Sequence, residues 1–251
     1  ERGVQVWSEV ELAWRLNTRA GRRSTQWLCL TGTNGKTTTV GMVDSILKAA
    51  GRHSAQVGNV GLPIVYAVAD DEEYEFFAVE LSSFQLHWTY SLSPLASVVL
   101  NVADDHVDWH GSFEAYKAAK ARIYENTQVA CIFNEDHADT RRMVEEADVV
   151  EGARAVSISS TEIPRVSMLG LAEDILVDRA FLKDRYHQAL ELGVLTDLAQ
   201  APGQVPAQHT VENALAAAAL TRAAGIAPEH VREGLRTYSP GAHRNQLVAS
   251  A

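Results

Sequence analysis

WLCLTGTNGKTTT, residues 27–39, is the stretch on which the fold turns. Trp27, Leu28, Cys29 and Leu30 make an apolar run long enough for a buried strand, and it breaks into the turn Gly32-Thr33-Asn34-Gly35. Beyond Lys36, Thr37, Thr38 and Thr39, the apolar residues Val40, Met42, Val43, Ile46 and Leu47 recur with helical spacing. Strand, glycine turn, Lys-Thr and helix, in that order, give a phosphate-binding loop its physical meaning. Glycines at 32 and 35 let backbone N–H groups approach phosphate oxygens, and the helix start adds the positive end of its dipole. Lys36 is then expected at the β- and γ-phosphates and the Thr37 hydroxyl at Mg²⁺. One position departs from the common pattern. Leu30 stands where a first glycine is usual, so the loop is a G-x-x-G-K-T variant. The plain alternative is a glycine turn that joins strand to helix beside an exposed lysine.

The 251 residues are 46% hydrophobic and 22% charged, the composition of an ordinary globular chain with one large α/β domain or two small ones. A formal charge of −10 argues against a nucleic-acid partner, which would need a basic face. It leaves a nucleotide open, because phosphates need only a local site. Cys29 and Cys131 sit in strand-like apolar runs and read as reduced core thiols of a cytoplasmic protein. No stretch approaches the ~20 uninterrupted apolar residues of a membrane span, so no membrane insertion is expected. The start, Glu-Arg-Gly-Val, is no signal peptide and lacks Met, and the chain is expected to be cut from something longer.

Val4 and Val6 suit a short strand, and Ser8 with Glu11 predicts a capping box for a helix carrying Val10, Leu12, Trp14 and Leu16. The polar, basic segment 17–25 reads as a loop or linker. The helix after the phosphate loop should stop at Gly51, residues 54–57 suit a second strand, and Pro63 suits the first turn of a short helix. Residues 74–79 are strand-like and end at Glu80. A carboxylate there, at the C-terminal edge of a parallel sheet, lies on the phosphate side in the manner of a Walker B residue. Residues 96–100 form another strand, followed by Asn101 and a loop dense in metal-competent side chains: Asp104, Asp105, His106, Asp108 and His110. Ser112 can cap the next helix; 129–133 and 153–158 are strand-like around a helix at 137–147. The alternation over 27–158 predicts an α/β, Rossmann-like fold, a mostly parallel sheet with helices on both faces. From 160 to 200 the pattern weakens, and 175–177, 181–182 and 190–195 suit short antiparallel strands. An alanine-rich helix over 208–224 stops at Gly225, and another runs from Pro228 to about 238.

TGTNGKTT at 31–38, with its shortened glycine spacing, resembles the nucleotide loop of the Mur ligase family. GNVGLP at 58–63, ELSSFQL at 80–86, DHVDWHG at 105–111 and AAKARIY at 118–124 resemble the D-glutamate-adding branch of that family, Ser-Ser-Phe-Gln being the most telling. HTVENA at 209–214 and His243-Arg244 resemble its nucleotide-contacting segments, so the likeness runs from about residue 4 to 249. It implies an ATP-dependent ligase of peptidoglycan precursor synthesis, a cytoplasmic monomer that uses Mg²⁺ or Mn²⁺. The carboxylate of UDP-N-acetylmuramoyl-L-alanine would attack the γ-phosphate of ATP, and D-glutamate would displace phosphate from the acyl phosphate.

Residue by residue, the resemblance implies a nucleotide cradle of Gly32, Thr33, Asn34, Gly35, Lys36, Thr37 and Thr38, with Asn213 near the adenine and Arg244 near the phosphates. Thr37 and Glu80 would hold one metal, His106 and Lys120 a second, and Asn59, Ser82, Ser83 and His106 would meet the substrate. Lys36, His106 and Lys120 are the expected catalytic set. An ammonium is a poor metal ligand, and the resemblance implies that CO₂ carbamylates Lys120 into an anion. Each residue has a bland alternative: a strand-end carboxylate for Glu80, a solvated acidic loop for His106, a surface lysine for Lys120, a packing amide for Asn213. Asp105 and Asp108 either act or merely shape the loop. His110, His137, His187 and His230 have no constellation around them and are expected to do no chemistry. Trp109 stands where the family often has arginine and Thr210 where it often has asparagine, which puts one ionic and one adenine contact in doubt.

Residues 1–25 are expected to be the remnant of an N-terminal domain and linker, 26–238 the central ATP-binding domain, and 239–251 the start of a C-terminal domain. The family's D-glutamate-binding residues belong to that last part, so the chain alone is expected to bind ATP weakly and ligate nothing. Two other readings compete. One is another amino-acid ligase of the family, such as a folylpolyglutamate synthase. The other is a non-catalytic nucleotide-binding module, which leaves His106, Lys120 and Ser-Ser-Phe-Gln without purpose.

Overall fold

Trp27 to Thr31 are buried because their strand has a sheet neighbour on each side and helices over both faces. The structure, a computed structural model, describes residues 3–20, 24–199, 201 and 203–240. In chain order the elements are α1 (Glu9–Asn17), β1 (Gln26–Thr31), α2 (Lys36–Ala49), β2 (Ser54–Gly58), α3 (Ile64–Ala69), β3 (Phe76–Glu80), α4 (Ser83–His87) and β4 (Ala96–Val99). There follow α5 (Val107–His110), α6 (Phe113–Ala121), β5 (Ala130–Asn134), α7 (Ala138–Glu145), β6 (Arg154–Ile158), β7 (Met168–Ala172), β8 (Ile175–Asp178) and β9 (Leu190–Val194). Two long helices close the described chain, α8 (Gln208–Ala223) and α9 (Pro228–Thr237).

The nine strands form one sheet in the order β2-β3-β1-β4-β5-β6-β7-β8-β9. Pairing is parallel from β2 through β7, and β7–β8 and β8–β9 are antiparallel. Alternate residues of each strand serve opposite faces. Leu28, Leu30, Ala78, Val98 and Ile132 enter the core that packs under α2, α8 and α9. Trp27, Cys29, Phe77, Val79 and Cys131 enter the core on the other face, with α1 and α3. Burial on both faces is why these strands read as continuous apolar runs. Helices α2 and α9 come close enough that a Cβ on Gly234 would run into the backbone of Ile46. Among the described residues no helix is long and apolar enough to cross a membrane.

Three expectations need correction. Val4 and Val6 form no strand; both are exposed, and no strand pairs with them among the described residues. Ser8 does cap α1, accepting from Glu11 N at 3.2 Å, but Glu11 does not complete the box. Its carboxylate is drawn instead to Tyr90 N, Ser91 N and the Ser91 hydroxyl, a long-range use that a local motif does not reveal. Phe181 and Leu182 are not a strand either. Asp178 Oδ1 accepts from Ala180 N and Phe181 N and turns the chain out of the sheet. The unexpected strand is β7, whose Gly170 packs so closely that a Cβ would lie 3.0 Å from Ser159 O.

Candidate active site

The turn between β1 and α2 is built on its glycines. Gly35 sits at the N-cap of α2 in the left-handed region (φ 85°), with no side chain capping the helix, so the first turn keeps its donors for another acceptor. Glycine is needed there twice over, since a Cβ would also strike the side-chain amide of Asn213 on α8. The far side of the loop is braced by Asn101, just past β4. Asn34 N donates to Asn101 Oδ1 (2.9 Å), Asn101 Nδ2 donates to Asn34 O (3.1 Å), and Thr33 N donates to Asn101 O (3.1 Å). The Thr33 hydroxyl shares a 3.0 Å hydrogen bond with Tyr116 OH. Lys36 curls back, its Nζ donating to Gly32 O (2.9 Å) and Thr33 O (3.0 Å). Thr38 stands in the first turn of α2.

Glu80, at the end of β3, is 1% exposed and held from two sides. Thr37 Oγ1 donates to its Oε2 (2.9 Å) and Asn59 Nδ2 to its Oε1 (3.0 Å). The GNVGLP loop reaches it because Gly58 (φ 111°) lies against the Glu80 backbone, where Asn59 N donates to Glu80 O at 2.8 Å. A hydroxyl and a carboxylate side by side are hard oxygen donors, the kind Mg²⁺ prefers. The Ser-Ser-Phe-Gln stretch also has a local explanation. Ser82 and Gln85 form a complete capping box at the start of α4, which occupies the Ser82 hydroxyl and fixes Ser83 in the first turn.

Lys120 is no surface lysine. It points inward from α6, 2% exposed, and its Nζ donates to Gly32 O (2.9 Å) over the Tyr116 ring (4.7 Å). Burial, and then the charge of Lys36, pull its pKa down to about 7 against the opposing pull of Asp105. His106 caps α5 in the left-handed region (φ 53°), half-exposed, with Nε2 3.3 Å from Asp105 Oδ2. Its ring lies 4.9 Å from Phe84 and 6.1 Å from Tyr116.

These groups converge on a cavity of about 120 Å³. Gly32, Lys36, Asn59, Ser82, Ser83, His106 and Lys120 all line it, with Phe84, Asp105 and Tyr116. Glu80 and Thr37 adjoin it through Asn59 and Lys36; Asn213 abuts the loop from α8. Arg244 lies outside the described residues. Among the described residues no three His, Cys, Asp or Glu side chains gather into a ready metal cage.

Sequence reasoning missed Asn101, Phe84 and Tyr116 as parts of the site, and it set His110 aside. Asn101 carried a signal, a polar residue at the end of a strand beside the phosphate loop. His110 does have a constellation: its Nε2 lies 3.0 Å from Ser83 Oγ and its ring stacks on Phe84. Burial, and then the neighbouring His87, His106 and Lys120, lower its pKa. His137 is also partnered, with Nε2 3.8 Å from Glu212 Oε2.

Comparison with known proteins bears on this arrangement. The Mur ligase middle domain profile matches residues 30–221. The UDP-N-acetylmuramoylalanine–D-glutamate ligase of Streptomyces coelicolor is 52% identical over 98% of this chain, which spans 51% of that protein. Its counterpart from Streptomyces avermitilis is 53% identical over 99% of the chain, again spanning 51% of the relative. The chain thus spans about half the length of the curated relatives it matches. Among solved structures, a UDP-N-acetylmuramoyl-L-alanyl-D-glutamate–2,6-diaminopimelate ligase superposes with a TM-score of 0.71 at 18% identity, over 92% of this chain and 52% of that one. E. coli FolC, in complex with DHPP and ADP, superposes with a TM-score of 0.61 at 18% identity, over 98% of this chain and 65% of that one. At such identities the structures speak for the fold alone.

Proposed function

The chain belongs to the Mur ligase family, and from that premise we propose that it is the ATP-handling part of a ligase that joins D-glutamate to UDP-N-acetylmuramoyl-L-alanine. The observation that carries this reading is the single cavity lined by the phosphate loop, Asn59, Ser83, His106 and a buried Lys120. A phosphate loop alone would serve any nucleotide-binding module. A second set of polar groups facing it across 120 Å³ suits an acceptor brought to the γ-phosphate.

Phosphoryl transfer is chiefly positioning and charge neutralisation. The acceptor carboxylate oxygen attacks the γ-phosphorus and ADP leaves. The amine of D-glutamate then attacks the acyl carbon, phosphate departs and the amine gives up its proton. The first step brings anions together, so cations must lie on the path. Lys36 leaves the carbonyls of Gly32 and Thr33 for the β- and γ-phosphate oxygens, joined by N–H groups of the first turn of α2. Thr37 and Glu80 would hold Mg²⁺, and His106 with a carbamylated Lys120 a second ion; bound there, the ions neutralise phosphate charge. Asn59 and Ser83 would orient the acceptor, and Asn213 the adenine.

Lys120 is suited to carbamylation by its burial and by a pKa lowered to about 7, which bring the neutral amine within reach at neutral pH. Its neutral nitrogen attacks CO₂, an N–C bond forms and a proton leaves. Carbamylation converts a buried cation into an anion beside His106. Incubation with ¹³CO₂ should give a carbamate carbon signal that Lys120→Ala removes.

The ligase reading is tested in the whole protein by phosphate release with ATP, UDP-N-acetylmuramoyl-L-alanine and D-glutamate. D-glutamate-dependent turnover abolished by Lys36→Ala is expected. Turnover only with a folate and L-glutamate would overturn it in favour of the folylpolyglutamate branch.

A further inference from the structure

We propose that His110 is a positioning residue for the acceptor: its Nε2–H donates to Ser83 Oγ and so turns the serine hydroxyl proton into the cavity toward an anionic group of the substrate. The proposal rests on the ligase reading only for the identity of that anion.

The two residues lie 27 positions apart, on α5 and α4, yet Nε2 and Oγ approach to 3.0 Å. The imidazole has little freedom to turn away. It stacks on Phe84 (5.6 Å, 12°) and meets Tyr116 (5.4 Å), Trp109 (4.6 Å) and His87 (6.2 Å) edge to face. Ser83 is 2% exposed, lines the cavity, and has His110 as its one side-chain hydrogen-bond partner among the described residues.

A serine hydroxyl has one hydrogen and two lone pairs. If Ser83 gave its hydrogen to Nε2, it would show only lone pairs to a cavity walled by Lys36 and Lys120. Lone pairs facing an anion repel it. If Nε2–H donates instead, the serine hydrogen is free to point inward beside the two lysines and adds a donor to a wall that also carries the Asp105 carboxylate. The same geometry separates this pair from a nucleophilic Ser-His dyad. There the imidazole must accept the serine proton, and a third group orients it through the other nitrogen. No such group bonds His110 Nδ1 among the described residues.

Two measurements test the assignment. Long-range ¹H–¹⁵N NMR of the imidazoles in this chain should find His110 as the Nε2–H tautomer, with Ser83→Ala shifting its Nε2 resonance. The Nδ1–H tautomer, or a resonance blind to Ser83→Ala, would overturn it. In the whole protein, His110→Phe keeps the stack and loses the donor, whereas His110→Gln carries an amide nitrogen near the former Nε2. Loss of one hydrogen bond predicts that His110→Phe raises the KM for UDP-N-acetylmuramoyl-L-alanine roughly three- to tenfold, with the KM for ATP unchanged. His110→Gln should recover most of this, and His110→Phe should add nothing in a Ser83→Ala background. Parallel rises in both KM values, or full additivity with Ser83→Ala, would reduce His110 to a packing residue. If wild type shows no D-glutamate-dependent turnover, the ligase reading fails, and the NMR arm still decides the hydrogen bond.

Discussion

Gly35→Ala probes the joint between the phosphate loop and α8. Gly35 holds a φ of 85°, and an alanine there costs about 1–2 kcal/mol for the left-handed backbone. The new methyl would also strike the Asn213 amide. That amide ends a short side chain and can turn aside, so the packing cost falls at the low end of overpacking, about 1 kcal/mol. Together the two amount to roughly 2–3 kcal/mol, a fall in melting temperature of about 4–12 °C for a chain of this size. The two parts can be separated because only the second involves Asn213. Thermal unfolding without nucleotide should therefore show Gly35→Ala costing about 1 kcal/mol less in an Asn213→Ala background than in wild type. An equal cost in both backgrounds would refute the contact. A negligible cost in either would refute the left-handed turn, and the cradle derived from it.

Glu80→Gln should keep much of the shape while removing the anion, so Mg²⁺-dependent ATP affinity should fall about tenfold or more, with metal-free affinity far less affected, by calorimetry with and without Mg²⁺. Gly234→Ala pushes a methyl into the Ile46 backbone and should lower stability by about 1–3 kcal/mol in urea unfolding, with m unchanged. The His137–Glu212 pair makes stability depend on pH. Glu212 raises the His137 pKa, and His137 lowers that of Glu212. The His137 contribution is full below the ordinary histidine value of about 6.5 and fades as pH rises through the raised folded value; that of Glu212 is full above about 4.5 and fades below. Glu212→Gln should therefore cost more stability at about pH 5.5 than at pH 8, and a gap equal at both would count against the pair.

The strand, turn and helix of the proposed phosphate loop were legible because their signals are local: apolar run, glycines, Lys-Thr and helical spacing fall within a few residues of one another. Glu80 was legible because strand direction puts a strand-end carboxylate on the loop's side of the sheet. Lys120 was harder, since a helix lysine carries no sign of burial, and only the motif around it set it apart. What stayed hidden depends on distant partners. Glu11 could have closed its capping box, but Tyr90 and Ser91 claimed it. His110 looked idle until α5 folded against α4 and set it on Ser83. Strand β7 escaped because it pairs with β6 over only Met168 and Leu169 and carries a glycine, too little pattern for a strand reading.

Lys36 and Lys120 both donate to the carbonyl of Gly32, each at 2.9 Å. That one oxygen acts as a placeholder, and ligand arrival is an exchange rather than an occupation. An incoming anion must outcompete the carbonyl for Lys36 and, where Lys120 is protonated, relieves the repulsion between the two charges gathered on it. On both counts a multiply charged anion offers more than a singly charged ion such as chloride. Without a ligand the carbonyl keeps both lysine nitrogens hydrogen-bonded, so neither is bare.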